Sequence, residues 1–168
     1  MPQNHLTILT GASRGMGLAM AQQLLTSGNT LICIARSAHP DLALEAKAAG
    51  VTLEQWQQDL SQGEQAAHQL QAWLNAQGPQ AFASATLINN AGVIPRIAPL
   101  SASDAADLAN ALRVGLEAPM LLTAAFLAAT ESWTVPRKVL NISSGLGRRA
   151  MASQAAYCAA KAGMDHFT

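Results

Sequence analysis

A short apolar run, Leu6-Thr7-Ile8-Leu9-Thr10, leads straight into Gly11-Ala12-Ser13-Arg14-Gly15-Met16-Gly17, and a helical pattern opens at Gly15. No other feature limits the possible folds so strongly. Glycines at 11, 15 and 17 allow a tight turn and close approach of backbone to a ligand. The helix that follows offers free N–H groups and the positive end of its dipole. A dinucleotide pyrophosphate needs these features together. The spacing is G-x-x-x-G-x-G, not G-x-G-x-x-G. Glycines clustered in a loop can also serve packing alone, and it is the position between strand and helix that favours the nucleotide reading. Gly11, Ser13, Arg14, Gly15, Met16 and Gly17 are the contact residues expected from it.

Further along, short β-rich runs alternate with longer helical ones, the mark of βαβ units and a parallel sheet. The first helix is expected over 15–27, with Gly17, Met20, Ala21, Leu24 and Leu25 on one face. Strand two is expected over 30–35, a short helix over 40–49, and strand three from Val51. Ser61-Gln62-Gly63-Glu64 reads as a capping box opening a helix that runs to about Gln77. Strand four is expected over 84–88. Ser101 is expected to cap a helical region lasting to Thr130 and bent near Pro119. Strand five is expected over 137–142, and a last helix from Ser153 still runs at Thr168. The fold class is α/β, a Rossmann-type doubly wound parallel sheet in three αβα layers, with residues 1–168 forming one dinucleotide-binding domain.

Composition narrows the partners. Half of the 168 residues are hydrophobic and 12% are charged, and ten basic residues balance ten acidic ones. No general attraction to nucleic acid or an anionic membrane is expected. Cys33 and Cys158 both lie in apolar surroundings and read as small core residues rather than a disulfide or metal pair. His5, His39, His68 and His166 lack metal-ligand spacing, so no metal is expected. The start carries no signal-peptide pattern, and no apolar run of membrane-spanning length is evident, so a cytoplasmic protein is the default.

Strand two ends in Ala35-Arg36-Ser37, without the carboxylate that often holds an NAD ribose. Arg36, with Arg14 reaching out of the glycine turn, would suit the 2′-phosphate of NADP(H), because a guanidinium presents several donors in one plane. Two solvated surface arginines are the plainer alternative. NADP(H) is preferred over NAD(H) on this basis. Asp59, with Leu60 beside it, follows strand three. It would accept a hydrogen bond from the adenine amino group, or else serve the helix start beside Ser61.

After strand five come Ser144 and then Tyr157-Cys158-Ala159-Ala160-Lys161. Tyr157 and Lys161 are four apart and share a helix face. A free tyrosine has a pKa of about 10, and a neighbouring ammonium favours the phenolate. A serine hydroxyl at the carboxyl end of a strand could hold a substrate oxygen. A buried tyrosine and a solvated lysine on an ordinary helix remain the bland alternative.

Taken together, Thr10-Gly11-x-x-x-Gly15-x-Gly17, Asn89-Asn90-Ala91-Gly92, Ser144 and Tyr157-x-x-x-Lys161 resemble the short-chain dehydrogenase/reductase family, in order and spacing, across nearly the whole chain. The look of Ala35-Arg36-Ser37 is similar to the sepiapterin-reductase-like branch. The resemblance implies that Tyr157 is the general acid or base. It implies that Lys161 supports Tyr157 and binds the nicotinamide ribose, and that Ser144 steadies the substrate carbonyl. It also implies that Asn90, Ala91 and Gly92 support the cofactor. The expected activity is NADP(H)-dependent reduction of a ketone, aldehyde or dicarbonyl. The expected partners are a small carbonyl or alcohol substrate and, in the full-length protein, a second copy in a homodimer or homotetramer paired through the helices after strands four and five.

Two departures stand out. The long helix after strand four has Gly115 where many members carry an asparagine linked through water to the lysine; Asn110 lies five residues earlier and is not expected to project from the same place. The chain also stops at Thr168, before the further strands and substrate loop of the family. That points to a truncated reductase and an exposed edge at strand five. A non-catalytic NADP(H)-binding or sensing module, or an inactive fragment, is the alternative reading.

Overall fold

The computed structural model describes residues 4–168. Five strands form one parallel sheet: β1 (His5–Thr10), β2 (Asn29–Ala35), β3 (Thr52–Gln57), β4 (Ser84–Asn89) and β5 (Arg137–Asn141). Their spatial order is β3-β2-β1-β4-β5. β1 is central, with Ile8 level with Ile32 of β2 and Leu87 of β4. This is the Rossmann-type order, and the direction of winding reverses between β1 and β4. A crevice therefore opens at the carboxyl ends of those two strands, the place where ligands sit in open α/β sheets.

Side chains on a strand alternate between faces, so each central strand feeds two cores. Leu6, Ile8, Ile32, Ile34 and Leu87 join one cluster, with Leu70 and Leu74 of α3 (Gly63–Asn75) and Leu122 and Phe126 of α5 (Ala118–Ala129). Leu9, Leu31, Cys33 and Ile88 join the other, with Ala21 of α1 (Gly15–Gln23) and Leu42 and Ala46 of α2 (Pro40–Ala49). The result is the expected three-layer arrangement. Burial pushes the Cys33 thiol up to about 12, so it stays a neutral core group.

Several local expectations are corrected. α1 ends at Gln23, and Leu24 and Leu25 follow it, partly buried. Ser61 does not cap α3. The Asp59 carboxylate accepts from the Ser61 N–H at 2.9 Å and caps a short 3-10 turn, Leu60–Gln62, that precedes the helix. Nor does Ser101 cap the next helix. α4 (Ala105–Leu112) is capped by Asp104, which accepts from the Ala106 and Asp107 N–H groups. Both residue types cap well, and the position from which the helix meets the sheet decides between them.

The break between α4 and α5 falls just before Pro119. It is a π turn, Arg113–Glu117. Pro119 follows it in the first turn of α5, and its ring would crowd the Gly115 carbonyl of a regular helix, which the π turn relieves. From 105 to 129 the helical segments are continuous, and by length and composition alone they could span a membrane. This corrects the reading that no such run exists. Ala111, Val114, Leu122 and Phe126 are buried against the protein, so the apolar character of the run serves the core.

One cluster on the α3 face supports a stability prediction. Trp56, Trp73, Phe82 and Trp133 form a continuous aromatic row, with centroid separations of 6.3, 6.2 and 5.9 Å. Glu54 accepts from both the Trp56 and Trp73 indole N–H groups, at 2.8 and 3.0 Å. Replacing Glu54 by Ala strands two partly buried donors. It should cost about 2 kcal/mol in denaturant unfolding, with Glu54→Gln losing less. A loss below about 0.5 kcal/mol would contradict the assigned role.

Candidate functional site

The crevice at the end of β1 is a cavity of about 680 Å³, of the size expected for a small-molecule site. It is built first by a weld between two turns. The Thr10 hydroxyl, 2% exposed, accepts from the backbone N–H groups of Asn90 and Ala91, each at 3.0 Å. Asn90 Nδ2 returns a bond to the Thr10 carbonyl at 2.9 Å. The loop after β4 is thereby fixed to the glycine turn after β1.

Gly11 and Gly15 adopt positive φ, +72° and +55°. A Cβ on Gly17 would meet the Gly11 carbonyl oxygen and lie 2.6 Å from Asn90 Nδ2. The helix therefore starts flush against the turn, and no side chain caps α1. An uncapped helix N-terminus facing a cradle that holds no side chain suits a pyrophosphate. The residues present thus fit a dinucleotide.

The floor of the cavity comes from Gly11, Ser13, Gly15, Met16 and Gly17. Arg14 and Arg36, both exposed, border it from the glycine turn and the end of β2. Asp59 and Leu60 border it from β3, and Asn90, Ala91 and Gly92 from β4. Every residue singled out from the glycine turn, the ends of β2 and β3 and the Asn90 turn therefore meets one cavity. The Ser61 backbone N–H, the largest influence on it, holds the Asp59 carboxyl below the usual carboxylate range, with Arg36 adding to the effect. The helix-start role of Asp59 is realised in the fold, and its carboxylate also faces the cavity.

Val93, Ile94 and Val114 went unnoticed in the sequence as parts of this site, and Thr10 was read only as part of the glycine motif. Asn110 does border the cavity, beside Val114. The Gly115 position is buried in the π turn, and a Cβ there would lie 3.0 Å from the Ala160 Cβ. A glycine lets the turn pack against α6 (Ala155–Phe167) one residue before Lys161.

Ser144, Tyr157 and Lys161 do not line the cavity, but Lys161 adjoins it through Gly92. A Cβ on Gly92 would sit 3.8 Å from Lys161 Nζ. Lys161 is 3% exposed, and its Nζ donates to the Ile142 carbonyl at 2.6 Å. The ammonium stands 5.9 Å from the centre of the Tyr157 ring. Burial pulls the Lys161 pKa below the ordinary lysine value, and the charge of Asp165 opposes that shift. Ser144 Oγ accepts from the Leu146 N–H at 3.2 Å, which leaves its own hydrogen free to donate. The Lys161 cation thus stands beside the Tyr157 ring on α6, and Ser144 caps the turn that follows β5.

Residues 5–168 match the family model described as short chain dehydrogenase. The chain is 32% identical to a benzil reductase ((S)-benzoin forming) of Bacillus cereus over 161 residues, covering 96% of this chain and 65% of the relative. It is 32% identical to a sepiapterin reductase of Meriones unguiculatus, covering 94% of this chain and 64% of the relative. Among solved structures, a short-chain dehydrogenase/reductase from Burkholderia vietnamiensis matches with a TM-score of 0.83 and 36% identity, covering 99% of this chain and 74% of that one. A metagenomic short-chain oxidoreductase in complex with NADP matches with a TM-score of 0.84 and 33% identity, covering 97% and 71%. The chain spans about 65% of the length of the first curated relatives it matches. With the glycine cradle, the Asn90 turn and the Ser144, Tyr157 and Lys161 group in the family's order on the family's sheet, the chain belongs to the short-chain dehydrogenase family of oxidoreductases.

Proposed function

We propose that this chain is the cofactor-binding and proton-handling part of an NADP(H)-dependent carbonyl reductase. The observation that carries the reading is the buried Lys161 ammonium, 5.9 Å from the Tyr157 ring centre and adjoining the glycine-lined cavity. Burying a cation this deeply is unfavourable unless it serves a purpose.

The bound cofactor supplies or accepts hydride. The residues of the chain do the rest. Ser144 donates to the substrate oxygen and fixes its direction. Tyr157 passes its phenolic proton to that oxygen as negative charge develops there. The Lys161 ammonium stabilises the phenolate left behind and holds the nicotinamide ribose. Asn90, pinned to Thr10, keeps the floor in register. Arg14 and Arg36 border the cavity with no carboxylate at the end of β2, which supports a 2′-phosphate and therefore NADP(H).

The substrate class is a ketone, aldehyde or dicarbonyl. Reductases of a diketone and of a pterin are among the relatives, which supports a carbonyl substrate with bulky flanking groups. The test is NADPH consumption by the chain with benzil and a simple aldehyde as candidate substrates. Consumption with a carbonyl compound, faster than without it, is expected. NADPH binding with no consumption on any carbonyl would favour the binding-module reading instead.

A further inference from the structure

Lys161 is the one charged side chain that is buried among the described residues. Its ammonium has a single oxygen acceptor, the Ile142 carbonyl, and a distant thioether, Met164 Sδ at 3.9 Å. One helical turn further on, at the i, i+4 spacing that brings side chains together, stands Asp165. Its Oδ2 is buried and has no hydrogen-bond partner.

That oxygen lies beneath the turn that carries Ser144. A Cβ on Gly147 would sit 2.8 Å from Asp165 Oδ2 and 3.0 Å from the Lys161 backbone carbon and oxygen. The Gly145–Gly147 turn, capped by Ser144, therefore rests directly on the Lys161–Asp165 stretch of α6. An unpartnered buried carboxylate is unfavourable by itself. It stands one helical turn from the buried cation, whose desolvation its charge opposes.

We propose that Asp165 is a positioning residue for the reaction: its carboxylate holds Lys161 as a cation beside Tyr157 and seats the turn that presents Ser144. This rests on reading Lys161 and Tyr157 as the proton-handling pair. The geometry singles out Asp165, since the other ionisable groups on the surrounding elements are exposed. These are Asp107 of α4, Arg113 and Glu117 of the π turn, Arg148 and Arg149 after Gly147, Arg96 after Gly92, Lys138 of β5 and His166 of α6. Tyr157 and the buried Cys158 of α6 are the remaining titratable neighbours. Asp165 is the one charge that opposes the effect of burial on Lys161.

The experiment is a titration of the chain labelled with carbon-13 at the lysine side chains. The sequence has three lysines, Lys47, Lys138 and Lys161, so the Lys161 signal is identified by its loss in Lys161→Arg. In Asp165→Asn, Lys161 should lose its proton at lower pH than in the wild type, while Lys47 and Lys138 stay put. Asp165→Glu should restore the wild-type titration. Asp165→Ser, also neutral, gives the same readout if the Asn variant does not fold. An unmoved Lys161 titration in a folded neutral variant overturns the proposal.

In the active enzyme, the alkaline limb of carbonyl reduction should also move to lower pH in Asp165→Asn. Activity should fall about tenfold near pH 9 and about twofold near pH 6. The titration needs no turnover. A shifted Lys161 in a chain that reduces no carbonyl therefore supports the hold of Asp165 and overturns the reductase reading alone.

Discussion

Replacing Tyr157 by Phe should lower carbonyl turnover by about a thousandfold, within the range known for loss of a positioned general acid. It should leave NADPH affinity within about threefold, because the phenol does not line the cofactor cavity. The substitution removes one oxygen and leaves the ring beside the Lys161 ammonium, 5.9 Å away. It therefore separates chemistry from binding. An enzyme that keeps its turnover would sink the assignment of Tyr157 as proton donor. A chain with no turnover before or after the change, yet with NADPH bound, would be the sensing module.

The second large effect is expected at Gly17. A Cβ there meets the Gly11 carbonyl oxygen and would lie 2.8 Å from the Gly11 carbonyl carbon and 2.6 Å from Asn90 Nδ2. Two of these three neighbours are backbone and cannot rotate away. Gly17→Ala should push the helix off the turn and break the bond from Asn90 to the Thr10 carbonyl. A stability loss of about 3 kcal/mol and a fall of about a hundredfold in NADPH affinity are expected. Gly15→Ala is the control. Open space surrounds that position, and only its φ of +55° is unfavourable for a side chain, at about 1 kcal/mol. If the two variants behave alike, close packing of Gly17 on the turn is not what shapes the cradle.

The chemistry-bearing residues were legible because each is bound to a local pattern. A glycine turn between strand and helix, an asparagine pair after a strand and a tyrosine four residues before a lysine can all be seen in a few consecutive positions. The parallel sheet with its crossover helices followed from the alternation of runs. What stayed hidden depends on distance or on packing. Thr10 is the clearest case: its place in the motif was visible, but its hydroxyl serves two N–H groups about eighty residues away. Asn110 looked misplaced because a helix of regular pitch was assumed. A π turn follows it at Arg113–Glu117, and Asn110 borders the cavity all the same. Ser101 and Asp104 are both capable caps, and tertiary packing chose Asp104. The break near Pro119 was legible from the residue that usually breaks helices, while the packing of Gly115 against Ala160 at its centre was not. Asp165 carries no motif of its own. It matters only because the fold lays Gly147 on top of it.

Arg14 and Arg36 border the cavity beside the glycine cradle. The most direct test is a calorimetric titration of the chain with NADPH and, separately, with NADH. NADPH should bind with a dissociation constant at least about tenfold lower than NADH, as expected for guanidinium contacts to one additional phosphate. Equal affinities would remove the roles given to Arg14 and Arg36, and binding of neither nucleotide would contradict the cofactor site itself.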